Sequence, residues 1–408
     1  MQRASVSAER RLMLVIGAVV FTDTMFYAAI TPLLPSLAHS LHLSKLSAGV
    51  LTASYAIGTL VAAIPSGILA ARIGPKRTVY VGLGLLAAST LAFGFVQNTA
   101  LLDAARFVEG VGGACSWAGG LAWIVAEAPQ SRRGEMIGGA LGAAIAGALF
   151  GPVIGTIANA VGRGLAFSTV VLLVLVLIMQ AQRLPQTHAP SGQGMRQLRR
   201  ALRDRKLLVG VWLVTLPAMA GGAVSVLGPL RLHAFGAGAA AIGATYLVGS
   251  AAEAIVTPAV GRVSDRRGRI VPLRAGLVAT IVLLVCFTVP STELGLALLI
   301  VALTTSVGAF WAPAMAMQSD AAETQHLDQA LAAALMNLAW AAGVTIGEVG
   351  AGAIAKSAGD QLPMLLLAGV CGVTLAALVP RRSVQRTAGK VPDAPAMSPV
   401  RGSDSSGA

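Results

Sequence analysis

Five ionisable residues lie inside long apolar stretches of the sequence, where a charge is far from water. They are Asp23, Arg106, Glu109, Glu253 and Glu348. Placing an ionisable side chain at the centre of a bilayer costs roughly 3 kcal/mol on insertion scales, so each needs a structural or functional reason. These five residues are therefore candidates for proton coupling or cation binding.

Asp23 is the first of these candidates. It lies eleven residues after Leu12 in the first apolar stretch, about 16 Å at ~1.5 Å per helical residue, which is near the middle of a bilayer. Phe26 and Tyr27 share its helical face at i+3 and i+4. Desolvation beside aromatic rings favours the neutral carboxyl, so Asp23 is expected to take up and release a proton. The alternative is an aspartate that holds helices together through hydrogen bonds.

The other four ionisable residues leave two interpretations open. Arg106 and Glu109 are spaced i, i+3, so the pair either neutralises itself or takes part in proton transfer. Glu253 and Glu348 have no evident partner nearby in the sequence, and each either acts in cation movement or contacts another helix. All five histidines are expected in loops, which leaves carboxylates as the groups for proton coupling: His39, His42, His188, His233 and His326.

A second set of side chains is predicted to line a cavity for flat or cationic compounds, because aromatic faces attract cations. For each aromatic residue the alternative is helix packing or anchoring at the membrane interface. The set consists of Phe26, Tyr27, Trp117, Trp123, Tyr246, Trp311, Asn337 and Trp340.

Membrane-spanning helices have to position these residues. The 408-residue chain is 55% hydrophobic and 12% charged, too little polar surface for a soluble domain of this length. Apolar stretches of roughly 18–25 residues recur, about the length that crosses ~30 Å of hydrocarbon. The expected spans are 12–35, 46–70, 78–97, 102–126, 136–160, 164–182, 207–230, 239–261, 271–290, 293–317, 329–354 and 362–380.

Lysine and arginine are distributed unevenly around these spans. With the N-terminus in the cytoplasm, all but five of the 30 lie in the N-terminal arm, the loops after spans 2, 4, 6 and 8, or the tail; the five are Lys45, Arg106, Arg163, Arg231 and Lys356. This distribution follows the positive-inside rule and predicts that both termini are cytoplasmic. The net charge of +13 therefore does not require a nucleic-acid partner.

The chain divides into two related halves. Residues 1–182 and 207–380 each contain six expected spans, separated by a basic cytoplasmic loop at 183–206. Residues 381–408 are rich in Ser, Ala, Pro and Gly and are expected to be a disordered cytoplasmic tail.

Two motifs occur once in each half at nearly the same offset. The loop motifs after spans 2 and 8 begin 194 residues apart and are predicted to act in gating: Gly67, Arg72, Gly74 and Arg77 in the first, and Gly261, Asp265, Arg266, Gly268 and Arg269 in the second. The first copy has Ala71 where the second has the acid, so gating is expected to depend on the second. The second motif lies in span 5 and consists of Gly147, Gly151, Pro152 and Gly155. A similar pattern of glycines occurs 196 residues later, around Gly347. A duplication of this kind places a substrate site between the halves, near mid-membrane.

With these motifs, residues 10–380 resemble the major facilitator superfamily. The Gly-x-x-x-Asp-Arg-x-Gly-Arg loop from Gly261 to Arg269 is typical of that family, and the glycine–proline motif of span 5 is similar to the antiporter motif of its drug:proton efflux branches. Asp23, nine residues before Pro32-x-x-Pro35, resembles the twelve-span drug:proton antiporters, tetracycline pumps and vesicular monoamine transporters.

The resemblance implies an all-α membrane protein with twelve transmembrane helices in two pseudo-symmetric six-helix bundles. It also assigns Arg106 a role in proton transfer. Span 11 is similar to that of the vesicular monoamine transporters, but Asn337 stands where those proteins have an acid and Glu348 where they have a proline. Both differences leave the charge of the substrate open.

The implied function is secondary active transport across the plasma membrane of a bacterium, that is, across the bacterial inner membrane. A monomeric proton-coupled antiporter that exports small amphipathic or drug-like compounds by alternating access is expected, with protons, a small-molecule substrate and lipid as partners. An ATP-driven pump is unsupported, since no Gly-x-x-x-x-Gly-Lys-Ser/Thr loop occurs. The alternatives are a transporter of a sugar, nucleoside or amino acid, and a transport-dead receptor or channel. No enzyme activity, cofactor or metal site is expected, and Cys115, Cys286 and Cys371 lie in separate spans.

Overall fold

Twelve long α-helices follow one another in the computed structural model, which describes residues 2–128, 132–185, 200–327 and 329–378. A 3-10 turn (Thr31–Leu33) and a short helix (Leu34–Ser40) extend the first long helix. The long helices are α1 (Gln2–Ala28), α2 (Lys45–Ile73), α3 (Pro75–Phe95), α4 (Thr99–Glu127), α5 (Arg133–Val161), α6 (Arg163–Gln182), α7 (Arg205–Ala234), α8 (Ala239–Arg267), α9 (Ile270–Val285), α10 (Glu293–Thr324), α11 (Gln329–Ala358) and α12 (Gln361–Leu378).

Each expected span corresponds to one of these helices. Most ends agree within a few residues, but α1 begins ten residues before its expected span, and α8 and α10 continue six and seven residues beyond theirs. In α8 the helix runs through the loop motif until Gly268, whose φ of 87° suits a glycine at a helix end, and α2 likewise ends at Gly74 with a φ of 93°. Most of the expected central loop, and all of the expected tail at 381–408, lie outside the described residues.

Eleven of the twelve described long helices are long and apolar enough to cross a membrane. The exception is α4, which combines many glycines with the ionisable residues Arg106 and Glu109. Apolar side chains also cover the outside of the bundle, as on α6, where Leu165 is 69% and Leu172 is 67% exposed. In water such a surface would be unfavourable, whereas hydrocarbon solvates it.

The two halves pack their helices in the same way. In the first, α1 packs against α5, α2 and α3 pack against α4, and α3 packs against α6. In the second, α7 packs against α11, α8 and α9 against α10, and α9 against α12, which is the same set of pairs displaced by six helices. The halves meet mainly through α2 with α11 and α5 with α8, and these two contacts are also related by the displacement.

Close approach between helices depends on glycines at the contacts. A β-carbon on Gly110 of α4 would overlap the carbonyl oxygen of Tyr55 on α2, and one on Gly58 of α2 would overlap that of Phe107 on α4. Thr59 also donates a 3.2 Å hydrogen bond to the carbonyl oxygen of Gly110. Because apolar burial adds little to helix association inside lipid, backbone packing of this kind stabilises the bundle.

We predict that Gly110→Ala lowers the stability of the purified chain in detergent by about 1–3 kcal/mol, because the added methyl group overpacks the α2–α4 contact. The matched control is Gly84→Ala on α3, where a β-carbon meets open space. Thermal unfolding followed by tryptophan fluorescence should show a lower midpoint for Gly110→Ala and an unchanged or slightly higher one for Gly84→Ala. Equal midpoints for the two variants would contradict the role given to this contact.

Candidate functional site

A cavity of about 260 Å³ lies between the two halves. Its walls come from α1, α2 and α4 on one side and from α7, α8, α10 and α11 on the other. Seven of the residues singled out in the sequence line this central cavity: Tyr27, Arg106, Tyr246, Glu253, Trp311, Trp340 and Glu348.

Asp23 lies behind the wall of the central cavity and is completely buried. Its Oδ2 accepts a 2.9 Å hydrogen bond from the hydroxyl of Tyr55, a residue that the sequence analysis did not single out. Trp117 adjoins the carboxyl group, yet Oδ1 has no hydrogen-bond partner among the described residues. Gly113 makes room for the carboxyl group, since a β-carbon there would lie 2.9 Å from Oδ1.

Arg106 connects the Asp23 side of the site to the central cavity. Its guanidinium lies against the rings of Tyr27 and Tyr55, with 5.5 and 5.3 Å to their centroids. It donates one hydrogen bond to Glu109 Oε2 (2.9 Å) and another to the carbonyl oxygen of Tyr27 (3.2 Å). Both partners of the Arg106–Glu109 pair are almost fully buried. The i, i+3 ion pair considered from the sequence is therefore formed.

Aromatic rings extend this cluster to the other half of the protein. The ring of Tyr27 lies 4.5 Å from that of Tyr55 and 5.7 Å from that of Trp340 on α11. Four helices, α1, α2, α4 and α11, thus meet around the Arg106 guanidinium. Two side chains, those of Tyr55 and Arg106, lie between Asp23 and the central cavity.

The two acids of the C-terminal half have different surroundings. Glu348 is 2% exposed; its Oε1 accepts a 3.0 Å hydrogen bond from Ser225 of α7, Thr52 of α2 adjoins it, and its Oε2 has no partner among the described residues. Glu253 has no hydrogen bond or ion pair within the described ranges, and its carboxyl group occupies the space left by Gly308 on α10. Neither acid has a basic partner like that of Glu109 among the described residues.

The remaining cavity candidates lie elsewhere. Trp117 and Asn337 line a second cavity of about 150 Å³, formed mostly by small residues of α2, α4 and α11. Phe26 packs against the ring of Phe167 on α6, with 5.8 Å between centroids. Trp123 is fully buried, and Lys76 lies over its ring. Phe26 and Trp123 occupy packing positions outside both cavities in this conformation, which corrects their placement on the cavity wall.

The second loop motif forms an ion-pair network. Arg269 donates hydrogen bonds to Asp265 at the end of α8 (2.5 Å) and to Asp320 near the end of α10 (3.1 Å). Its bond to Asp320, together with the one to Asp265, raises the pKa of the Arg269 guanidinium above its ordinary value. Gly261 and Arg266 also belong to the last turns of α8, and the exposed Arg266 forms no ion pair in the described part of the chain.

The first loop motif has no comparable network among the described residues. Arg72 and Arg77 are exposed, and no ion pair involves either of them there. Lys76 instead donates hydrogen bonds to the carbonyl oxygens of Gln182 (3.1 Å) and Leu184 (2.6 Å), just after α6. Gly67 belongs to the wall of the second cavity.

The glycine–proline motif of α5 packs against α1. β-Carbons on Gly147, Gly151 and Gly155 would overlap backbone or side-chain atoms of α1 and its extension. Thr24 of α1 donates a 3.0 Å hydrogen bond to the carbonyl oxygen of Ala144 in α5. Pro152 lies inside α5, and its carbonyl oxygen accepts a 2.8 Å hydrogen bond from Thr156. These residues therefore hold the helix that carries Asp23.

The halves are joined at one end of the cavity. Lys45, at the start of α2, forms a 2.5 Å ion pair with Asp360, just after α11. Gly49 and Gly352 let the backbones of α2 and α11 touch, and Thr156 donates a 3.3 Å hydrogen bond to the carbonyl oxygen of Ala239 in α8. All these contacts lie on the side of the α1–α2 connection. The second cavity lies toward the opposite side, where α2 and α4 end.

Comparison with known proteins identifies the class. The family model described as Major Facilitator Superfamily matches residues 16–325 and again 218–402, and the chain belongs to this family. A solved structure titled as a bacterial homologue of the human lysosomal transporter Spinster, in an inward-facing and unoccupied conformation, superposes with a TM-score of 0.75 and 13% identity, covering 91% of this chain and 96% of that one. The likeness shows the fold, and the all-α, twelve-helix membrane architecture expected from the sequence is confirmed.

Individual relatives are more distant. The Danio rerio protein named "Probable vesicular acetylcholine transporter-A" is 33% identical over 155 residues, 33% of this chain and 30% of that protein. The Escherichia coli protein named "Uncharacterized MFS-type transporter YcaD" is 26% identical over 274 residues, 65% of this chain and 69% of that protein. The chain spans about a third of the length of the first curated relatives that it matches. The chain is thus a multi-pass membrane protein of the Major Facilitator Superfamily.

We predict that Glu109→Gln lowers the stability of the purified chain by about 3–5 kcal/mol, because it leaves the Arg106 guanidinium buried without its ion-pair partner. Thermal unfolding in detergent measures the effect. Glu127→Gln, which removes a carboxylate at the end of the same helix that forms no ion pair in the described structure, should change stability little. The double variant Arg106→Gln/Glu109→Gln should recover part of the loss; a double variant less stable than Glu109→Gln would show that charge balance is not the cause.

Proposed function

We propose that this chain is a proton-coupled antiporter that exports small amphipathic or drug-like compounds across a bacterial inner membrane by alternating access. The observation that carries the proposal is the enclosed Asp23 carboxyl group, which lies beside the central cavity and has an oxygen without a partner in the described structure. The chain is proposed to work as a monomer, since both halves of the site come from one polypeptide.

Charge balance favours the uptake of one proton by the cluster of Asp23, Arg106 and Glu109 in the N-terminal half. Asp23 and Glu109 are two carboxyl groups, and Arg106 is the one guanidinium that both approach. With both acids ionised the cluster carries one net negative charge in a water-poor environment, which is unfavourable. Uptake of one proton removes that charge. The proton is proposed to reside on Asp23, because Glu109 is already engaged by Arg106.

The position of the contacts between the two halves supports alternating access. Both contacts between the halves, α2 with α11 and α5 with α8, are made near the α1–α2 connection, while the second cavity lies toward the other side. The excess of lysine and arginine in the connections on that other side supports a cytoplasmic position for it and for both termini. The conformation is then the one open to the cytoplasm, from which an exporter loads its substrate. The central loop 183–206 is proposed to join two six-helix domains, 1–182 and 207–380.

The proposed coupling between substrate and proton movement gives a prediction for Asp23. Asp23→Asn should abolish substrate-driven proton release from reconstituted vesicles, at least a tenfold loss, because an amide cannot exchange the proton. The substrate is a compound identified by a resistance screen in an efflux-deficient host. Asp103→Asn removes an acid of the same half that lines neither cavity and should keep the wild-type signal. Wild-type coupling in Asp23→Asn would remove Asp23 from the mechanism.

The second prediction concerns gating. Asp265→Asn should slow transport several-fold, because it removes one of the two acids that hold Arg269 between α8 and α10. The pairs are partly exposed, so each contributes only about 0.2–1 kcal/mol to stability, and the protein should remain folded. Arg72→Gln, in the first loop motif without an ion pair in the described structure, should have a smaller effect. Unchanged transport in Asp265→Asn would exclude gating by the second loop motif.

A further inference from the structure

The central cavity is lined by more acidic than basic side chains. Of the residues that line it, Arg106 is the sole basic one, and its guanidinium is bound to Glu109. Glu253 and Glu348 line the cavity from α8 and α11 without a basic partner in the described residues. Two carboxyl groups from the C-terminal half thus face an enclosed space whose one cation is already engaged.

We infer that the central cavity binds an organic ammonium compound, with its charged nitrogen on Glu348 and its apolar body against the aromatic side chains. This inference rests on the proposed function and adds the substrate class and its position. The substrate's charge is held by the C-terminal half, while the proton is held by the Asp23 cluster in the N-terminal half. The two cations therefore occupy separate sites.

The geometry of Glu348 carries the inference. One carboxyl oxygen is fixed by the 3.0 Å hydrogen bond from Ser225, which orients the group, whereas Oε2 has no partner in the described structure. The side chain is 2% exposed and belongs to the cavity wall. A buried carboxylate oxygen without a donor is unfavourable, and an ammonium N–H in the cavity would supply one.

The aromatic wall favours an organic cation over an inorganic one. Trp340 and Tyr27 meet edge to face at 5.7 Å, and Trp311 and Tyr246 also line the cavity. The Tyr246 hydroxyl already donates a 2.8 Å hydrogen bond to the carbonyl oxygen of Val224. Its ring is thus the part left for a ligand, and aromatic faces attract ammonium groups. A small metal ion would instead need several oxygen ligands around Glu348, and in the described structure Ser225 and Thr52 are the hydroxyl groups that adjoin it.

Three probes of similar shape and different charge test the inference: 2-phenylethylamine, 2-phenylethanol and 3-phenylpropionate. Each is titrated into the purified full chain in detergent, at a pH where the amine is charged, and binding is followed by tryptophan fluorescence. We expect saturable binding of the amine at least tenfold tighter than that of the alcohol, and no saturable binding of the acid. Equal or tighter binding of the alcohol or the acid, or no saturable binding of the amine, overturns the inference.

Two variants test whether Glu348 binds the charged nitrogen of the ligand. Glu348→Gln, which keeps the size of the side chain, should reduce the preference for the amine over the alcohol to less than threefold. Glu323→Gln, at the exposed end of α10, should retain the wild-type preference. An undiminished preference in Glu348→Gln overturns the placement on Glu348. A saturable sodium chloride titration that depends on Glu348 and excludes the amine would show an inorganic cation site instead.

The experiments distinguish failure of the proposed ammonium site from failure of the proposed proton antiport. Charge-selective binding without proton release in vesicles would contradict the proposed antiport and leave the ammonium site standing. Proton release driven by an uncharged compound, with no charge selectivity in binding, would contradict the ammonium site and leave the proposed antiport standing.

Discussion

The Arg106 guanidinium is the group on which the arrangement of the N-terminal half depends. A buried guanidinium is stable only when its charge and its N–H groups are met by partners, and here Glu109, the Tyr27 carbonyl oxygen and two aromatic rings meet them. These partners come from α1, α2 and α4. The same requirement keeps Gly110 and Gly58 small, because the α2–α4 backbones have to approach closely for Tyr55 to reach both Arg106 and Asp23.

The two halves share one architecture but differ in charge. The helix pairs of the N-terminal half recur in the C-terminal half, yet no counterpart of Arg106 stands among the cavity residues from the second half. A duplicated fold usually supplies two similar cavity walls. Here the basic residue of the N-terminal wall, Arg106, is paired with Glu109, whereas the C-terminal wall presents the carboxyl groups of Glu253 and Glu348 to the cavity. The asymmetry extends to the loop motifs, where Asp265 and Asp320 hold Arg269 and the first copy has Ala71.

The number and positions of the helices could be predicted from the sequence because hydrocarbon thickness sets the length of an apolar span and lipid offers no partner to an unpaired backbone. The pairing of Asp23 with Tyr55 could not be predicted in this way. The two residues lie on different helices, and their register is set by a third helix at Gly113.

Cavity residues were harder to identify for a related reason. Trp123 and Trp340 both lie inside apolar spans, but a helix packed on all sides shows no polar face to indicate which side meets a cavity. The rule that buried charges need partners did identify Arg106 and Glu109 as a pair. It identified no partner for Glu253 or Glu348, and neither forms an ion pair among the described residues, although Glu348 accepts a hydrogen bond from Ser225.

Glu348 connects the cavity to the contact that closes one end of it. Its carboxyl group faces the cavity and adjoins Thr52, while its own backbone carbonyl packs against Gly49, both on α2. Separation of α2 from α11 at that end therefore changes the surroundings of the carboxyl group at the same time. In the proposed alternating-access cycle the closed end has to open, and both that movement and the occupancy of the cavity would change the surroundings of the Glu348 side chain.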